Sequence, residues 1–246
     1  MDPAPEQAVP PGPPNRAPGR ATATLGAEVA ALGFEGFAMV VWLPWPAHHP
    51  AVHVVSNFPE AWLRRYRVRG YAAIDPVLRW CRTSTAPRPW TEEWLTQQAP
   101  PALLQAAAAH GLRHGWSQAV HDGLGVRGMF SVARAAGPLD PPELVRKQPT
   151  LQLLAHRAHR LVLADLREHW ARTATERLTP REVEVLRWAA DGKTAQDTAE
   201  ILGLKLTTVR FHIDNAVRKL QAGNVTAAVF RALVLGVLHG LPEREK

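Results

Sequence analysis

Cysteine is almost absent from this chain: Cys81 is the one thiol in 246 residues. It can neither close an internal disulfide nor build a cysteine-rich zinc module, so the sequence reads as cytoplasmic. Long apolar runs are missing too. No stretch approaches the ~18 residues of a membrane span. The N-terminal MDPAPEQAVPPGPPNRAPGR also lacks a signal-peptide core, so membrane and secreted classes are set aside. Tyrosine is scarce, two residues against nine tryptophans, four of which (Trp62, Trp80, Trp90, Trp94) fall within 33 positions. Acids number 22 against 29 bases, giving a net charge of +7 and an isoelectric point near 10.3. That excess favours an anionic partner, nucleic acid first. Catalytic signatures are wanting: Cys81 has no motif-paired His or Asn, there is no G-x-S-x-G, and no Gly-rich phosphate loop precedes a helix. No enzyme is expected.

Residues 1–20 carry seven prolines and almost no large apolar side chains, too little to offset the entropy of ordering. A disordered tail over 1–23 is expected. From Thr24 a short amphipathic segment leads to Gly36–Leu43 and, past Pro44-Trp-Pro46, to Ala51–Val55. Both runs are β-branched or aromatic, bounded by Pro and Gly, and read as paired strands. After Pro59 the period changes: Trp62, Leu63, Tyr66 and Val68 are spaced for a helix that Gly70 can cap. Helical stretches follow at 76–82 and 102–110. Strand-like runs return at 116–121 and 127–133, separated by Asp122-Gly123, a hairpin signal. The class is α+β, an α/β/α sandwich with an antiparallel sheet. Beyond Pro149, Leu151, Leu154, Ala155, Ala158, Leu161 and Val162 step by three and four along an apolar stripe that ends at Asp165. A long helix follows, and its stripe suits either its own sheet or a dimer face. Residues 171–177 have no such stripe and are the expected linker between a domain over 24–170 and another over 178–246.

In Leu178-Thr179-Pro180-Arg181-Glu182, Thr stands at an N-cap, Pro at the first helical position and Glu at the third, a capping box. A helix starts there and ends at Asp191-Gly192. Thr194 caps a second helix to Leu202, Gly203 turns the chain, and a third helix runs from Leu206 to Leu220. Two short helices about a glycine turn make a helix-turn-helix. In the third helix Val209, Ile213, Ala216, Val217 and Leu220 face inward. Thr207, Thr208, Arg210, His212, Asp214, Asn215, Arg218 and Lys219 are left outside. From Glu176 onward eleven bases meet nine acids, so this domain holds only +2 of the +7. Within 205–220, however, Lys205, Arg210, Arg218 and Lys219 face one acid, Asp214, which concentrates positive charge on one element.

Residues 178–240 resemble the DNA-binding domain of the LuxR family. The match lies in Leu178–Glu182, Glu184-Val185-Leu186, Gly192-Lys193-Thr194, Ala199–Gly203, Thr208-Val209-Arg210-Phe211-His212, Asn215 and Arg218-Lys219-Leu220. The resemblance implies an all-α four-helix helix-turn-helix domain whose third helix enters the major groove. Its fourth helix, Thr226–Leu238, then packs behind the third or pairs with a second copy. On that basis Arg210 reaches guanine edges, Lys193, Thr207, Thr208 and Arg218 hold phosphates, and His212 and Lys219 complete the DNA-binding set. One departure stands out. Lys205-Leu206 replaces the family's usual Ser or Thr cap, so either Thr207 caps one turn late or the helix start is weaker by ~1 kcal/mol.

The first domain decides the class of regulator. A phosphoacceptor receiver would place acids after its first strand and an aspartate at the end of its third, whereas 36–55 offers two successive strands without such acids. Trp62, Tyr66, Asp75, Pro76 and Trp90, spaced Trp-x3-Tyr, Tyr-x8-Asp-Pro and Pro-x13-Trp with Gly115 beyond, are instead similar to the autoinducer-binding domain of LuxR-type quorum-sensing receptors. This likeness covers residues 25–165. It implies an N-acyl-homoserine lactone as ligand, with no cofactor and no metal. Trp62 then binds the lactone carbonyl, Tyr66 the amide carbonyl and Asp75 the amide N–H. Ser131 stands near the same amide, Trp90 closes the pocket, and Phe58 and Val40 wall the acyl chain. The residue types suit those partners: an indole only donates, a phenol donates or accepts, and a carboxylate accepts. The likeness further implies a homodimer on a near-palindromic DNA operator, RNA polymerase as a further partner, and no membrane.

Plainer readings stand beside these. Trp62 and Tyr66, four apart, also suit a hydrophobic core, and Trp80 and Trp94 suit packing. His110 and His114 are four apart but have no third metal ligand nearby. The expected protein is a transcription regulator gated by a lactone. Its alternatives are the same architecture tuned to another small molecule, or a regulator independent of ligand.

Overall fold

A computed structural model describes residues 20–43, 51–123, 126–173 and 177–238. Two compact units divide between Val162 and Leu163. The first holds an antiparallel sheet of β1 (Gly36–Leu43), β2 (Ala51–Ser56), β3 (Arg88–Pro89), β4 (His114–His121) and β5 (Arg127–Arg134), in the spatial order β2-β1-β5-β4-β3. β1 reads as a continuous apolar run because both its faces are covered. Phe37, Met39, Val41 and Leu43 are buried on one face, against α1 (Arg20–Ala31) and the Leu151–Val162 part of α6 (Pro141–Thr173). Ala38, Val40 and Trp42 point the other way, towards α2 (Glu60–Val68), α3 (Pro76–Thr83), α4 (Glu92–Gln98) and α5 (Pro101–Ala108). Register sets Ala38 opposite Ser131 and Val40 opposite Met129. The architecture is the expected α/β/α sandwich.

Boundaries differ from the sequence reading where no apolar stripe marks them. α1 begins at Arg20, inside the expected tail, because Ala and Arg sustain a helix without burial. The rest of that tail, 1–19, lies outside the described residues. α6 begins at Pro141 rather than after Pro149. Asp140 starts it, its Oδ1 accepting from the Glu143 N–H at 2.6 Å, and Pro149 is carried inside the helix. The expected linker 171–177 is helical through Thr173, since lack of an apolar stripe does not by itself end a helix; residues 174–176 lie outside the described ones. The stripe itself resolves in favour of its own sheet. Leu151, Leu154, Ala155, Ala158 and Val162 are buried within the first unit, and His159 packs beside Gly128 of β5. Leu161, the remaining apolar member of the stripe, is half-buried.

In the second unit α7 (Pro180–Ala190), α8 (Ala195–Leu202), α9 (Leu206–Lys219) and α10 (Val225–Val234) enclose a small core around Val185, Leu186, Val209, Ala216 and Ala228. The expected capping box of Thr179 with Glu182 forms, and the expected Thr194 cap proves to be a second box, completed by Asp197. Gly203, left-handed at φ 64°, makes the turn of the helix-turn-helix. Lys205 gives α9 no side-chain cap, as the sequence departure implied. α10 packs on α7 and α9.

Candidate functional site

Trp62 and Tyr66 sit one turn apart on α2, so their rings meet edge to face at 5.6 Å. Gly70, left-handed at φ 62°, reverses the chain through a tight turn at Tyr71–Ala73, which returns Asp75 to Tyr66. The Tyr66 hydroxyl donates to Asp75 Oδ2 at 2.8 Å. Oδ1 of the same carboxylate accepts from the N–H groups of Val77 and Leu78, at 2.8 and 3.3 Å, and so caps α3. Asp75 thus has a structural oxygen and a cavity oxygen. Burial pushes its carboxyl above the usual range, opposed by the hydrogen bonds from Tyr66 and the α3 amides. Burial, with the Asp75 charge beside it, also holds the Tyr66 phenol well above its ordinary value, so it stays a neutral donor.

All seven side chains expected at the ligand, Trp62, Tyr66, Asp75, Trp90, Ser131, Phe58 and Val40, line one cavity of about 400 Å³ between the sheet and α2–α5. Its remaining wall is mostly apolar, with Leu103, Leu112 and Met129 prominent. Trp62 is also part of a core cluster with Tyr71 and Leu103, so its packing role is real as well. Ser117 was not anticipated. It accepts from the Trp90 indole at 3.0 Å and shares a hydrogen bond with the Ser131 hydroxyl at 2.6 Å, joining the two expected residues through a third. Only the pairing of Ser117 with Ser131 across β4 and β5 reveals it, and that register is not legible in one sequence.

Trp90 is held at the main chain too, donating its N–H to Gly115 O at 2.7 Å. A Cβ on Gly115 would lie 2.6 Å from Trp90 Cε3 and closer still to Val132 O. Gly115→Ala is therefore expected to move Trp90 and cost about 1–3 kcal/mol by overpacking; thermal unfolding of the variant checks this, and an unchanged midpoint would contradict it.

The other candidates resolve as packing. The His110 ring lies 5.8 Å from that of Trp62, with its Nδ1 2.7 Å from Ala106 O. Among the described residues no three of His, Cys, Asp and Glu gather as metal ligands. Burial pushes the Cys81 thiol up to about 12, which removes thiolate chemistry at neutral pH.

On the second unit Thr207, Arg210, Asp214 and Arg218 form an exposed stripe along α9, with Lys193 exposed before α8 and Thr208 and His212 half-buried at its sides. Lys219 is not on that face, contrary to the sequence reading. It is only 7% exposed, and its Nζ donates to Glu182 Oε2 at 3.0 Å and to Arg177 O at 3.3 Å. One position of helical phase turns the ammonium inward, and a buried carboxylate receives it. Phe211, 63% exposed beside Arg210, is an apolar member of the outer face that charge counting passed over.

Residues 20–162 match the autoinducer binding domain family, and 176–232 match the bacterial regulatory proteins of the luxR family. The chain belongs to the LuxR family. It is 32% identical to the transcriptional activator AnoR of Acinetobacter nosocomialis, over 84% of this chain and 87% of AnoR. It is 34% identical to the quorum sensing-dependent regulator RpaR of Rhodopseudomonas palustris, over 85% of each. A solved structure of SdiA in complex with octanoyl-rac-glycerol superposes with a TM-score of 0.69 at 30% identity, covering 90% of this chain and 89% of SdiA. This protein is therefore a quorum-sensing transcriptional regulator rather than an enzyme, with an autoinducer-binding domain and a helix-turn-helix that binds DNA. No helix among the described residues is long and apolar enough to cross a membrane.

Proposed function

We propose that the signal is an N-acyl-homoserine lactone. The observation that carries this reading is the Tyr66–Asp75 pair set into a mostly apolar cavity. An amide N–H finds its acceptor in Asp75 Oδ2 while Tyr66 turns its hydroxyl to the amide carbonyl, with Ser131 beside the same amide and the Trp62 indole offered to the lactone carbonyl. An unsatisfied group in such a site costs about 1–3 kcal/mol, so the match selects the head group. Phe58, Val40 and their neighbours take the acyl chain, and Trp90 closes over the head. A cavity of about 400 Å³ suits a ligand of that size. An acylglycerol is the second reading, favoured by the ligand of the related SdiA structure. It has no amide N–H, so Asp75 would accept from a hydroxyl. Extraction of the purified protein with organic solvent and mass spectrometry of the extract separates the two. A homoserine lactone fragment is expected; an acylglycerol as the sole bound species would overturn the reading.

On DNA, a homodimer presents two copies of α9 to a near-palindromic operator in the cytoplasm, and promoter activation then engages RNA polymerase. Arg210 reads a base edge, with His212 beside it, while Lys193, Thr207, Thr208 and Arg218 hold phosphates. Arg210→Ala is expected to lose about 1–3 kcal/mol of discrimination at one operator position, whereas Arg218→Ala weakens all sequences alike. Competition binding against single-base operator variants checks this, and equal, sequence-independent losses from both would remove the base-reading role.

A further inference from the structure

The walls of the cavity are unequal. β5 is buried almost throughout, α2, α3 and α5 each bury at least one side chain, and α4 buries none. β3 has only two residues, Arg88 paired with Ser117 and Pro89 with Trp116, and Trp90 follows directly. Segments with few buried apolar contacts open before the rest of a fold does. Residues 84–98 are the wall that fits this description, and a stack behind the wall holds them down. The Arg88 guanidinium carbon lies 3.8 Å from the Trp80 ring centroid and 5.2 Å from that of Trp94, so one cation joins α3 to α4. The Trp80 indole donates to Ala86 O at 2.9 Å, tying the same loop to α3. Arg88 Nε is buried without a hydrogen-bond partner among the described residues, so the ring faces stand where a carboxylate usually would. Trp80, Arg88 and Trp94 do not line the cavity, whereas Trp90 and Leu95, on the same segment, do. Whatever the stack does to the signal passes through Trp90 and Leu95.

We propose that the Trp80–Arg88–Trp94 stack is a latch that positions Trp90 in the cavity wall, and that its release opens residues 84–98 as the route by which the signal enters and leaves. The route rests on the cavity being the signal site; the latch does not. Hydrogen exchange on the full chain without added ligand tests the latch. Arg88→Met keeps an apolar stem and removes the planar cation. Amides of 84–98, including that of Trp90 bonded to Gly115 O, are expected to exchange about tenfold faster, an equilibrium change of ~1.4 kcal/mol within the range of a desolvated cation–π contact. Amides of β1 and α6 keep their rates. Uniform acceleration across the first unit, or none at all, would overturn the latch. Arg88→Lys retains the charge without the flat face, so it restores only part of the protection; full restoration would overturn the stacking. Stopped-flow release of N-octanoyl-homoserine lactone tests the route, with about tenfold faster dissociation expected for Arg88→Met. Equal release from a variant whose 84–98 amides exchange faster would overturn the route alone. Failure of this lactone and of longer and shorter homologues to bind the unmodified chain would overturn the signal reading and the route with it, leaving the exchange result to decide the latch.

Discussion

Lys219→Ala will destabilise the DNA-binding unit by about 3–5 kcal/mol, the usual cost of removing one partner of a buried ion pair, while leaving the DNA affinity of the folded fraction unchanged. The side chains of Lys219 and Glu182 are 9% and 4% exposed, and the alanine variant would strand the carboxylate. Burial alone would raise the Glu182 carboxyl, but the Thr179 N–H and the Lys219 ammonium outweigh it and hold it below its usual value. A depressed folded pKa gives stability that is present above the unfolded value and lost as pH falls through the folded one. The penalty of Lys219→Ala is therefore largest at neutral pH and shrinks in acid. A companion variant, Lys219→Met with Glu182→Gln, leaves no buried charge unpaired and keeps an acceptor for the Thr179 N–H bonded at 2.7 Å, so it is expected to recover most of the loss. Denaturant unfolding of the full chain reads both. A loss of DNA affinity in Lys219→Ala at temperatures where the unit is folded would return Lys219 to the DNA face.

Asp75→Asn will weaken lactone binding about tenfold to a hundredfold, or ~1.4–2.7 kcal/mol, with little change in the stability of the ligand-free protein. The two oxygens of Asp75 make this separation possible. Asparagine caps a helix as well as aspartate, so the bonds from Val77 and Leu78 survive. The charge-assisted acceptor turned towards Tyr66 and the cavity does not. Titration calorimetry with a lactone that binds the unmodified chain gives the ratio directly. Unchanged affinity would confine Asp75 to capping.

Much of this was legible in the sequence because the chain marks it redundantly. The helix-turn-helix announces itself through the Thr179 capping box, the Thr194 cap and a turn glycine, local signals that tertiary packing does not override. Trp62, Tyr66, Asp75 and Trp90 were legible through spacing, and Ser131, Phe58 and Val40 through the family resemblance, yet the reasons the seven converge are not: the left-handed Gly70 that returns Asp75 to Tyr66, and the pairing that sets Ser117 beside Ser131, are facts of three-dimensional register. α4 and the two-residue β3 escaped notice because α4 buries no side chain and β3 is too short for alternation. Lys219 was misplaced because charge and helical phase put it at the margin of the outer face, and only the position of Glu182, 37 residues earlier, turns it inward.

The most direct test of the central claim, that an acyl-homoserine lactone in the Trp62–Tyr66–Asp75 cavity controls this regulator, is the thermal midpoint of the ligand-free chain against a panel of such lactones of graded acyl length. A ligand that binds only the folded state adds RT ln(1 + [L]/Kd), about 2.7 kcal/mol at a hundredfold excess over Kd. The account predicts a midpoint that rises with one range of chain lengths, and a smaller rise for Asp75→Asn at the same concentrations. Identical melting with every member of the panel at saturating concentration would contradict it.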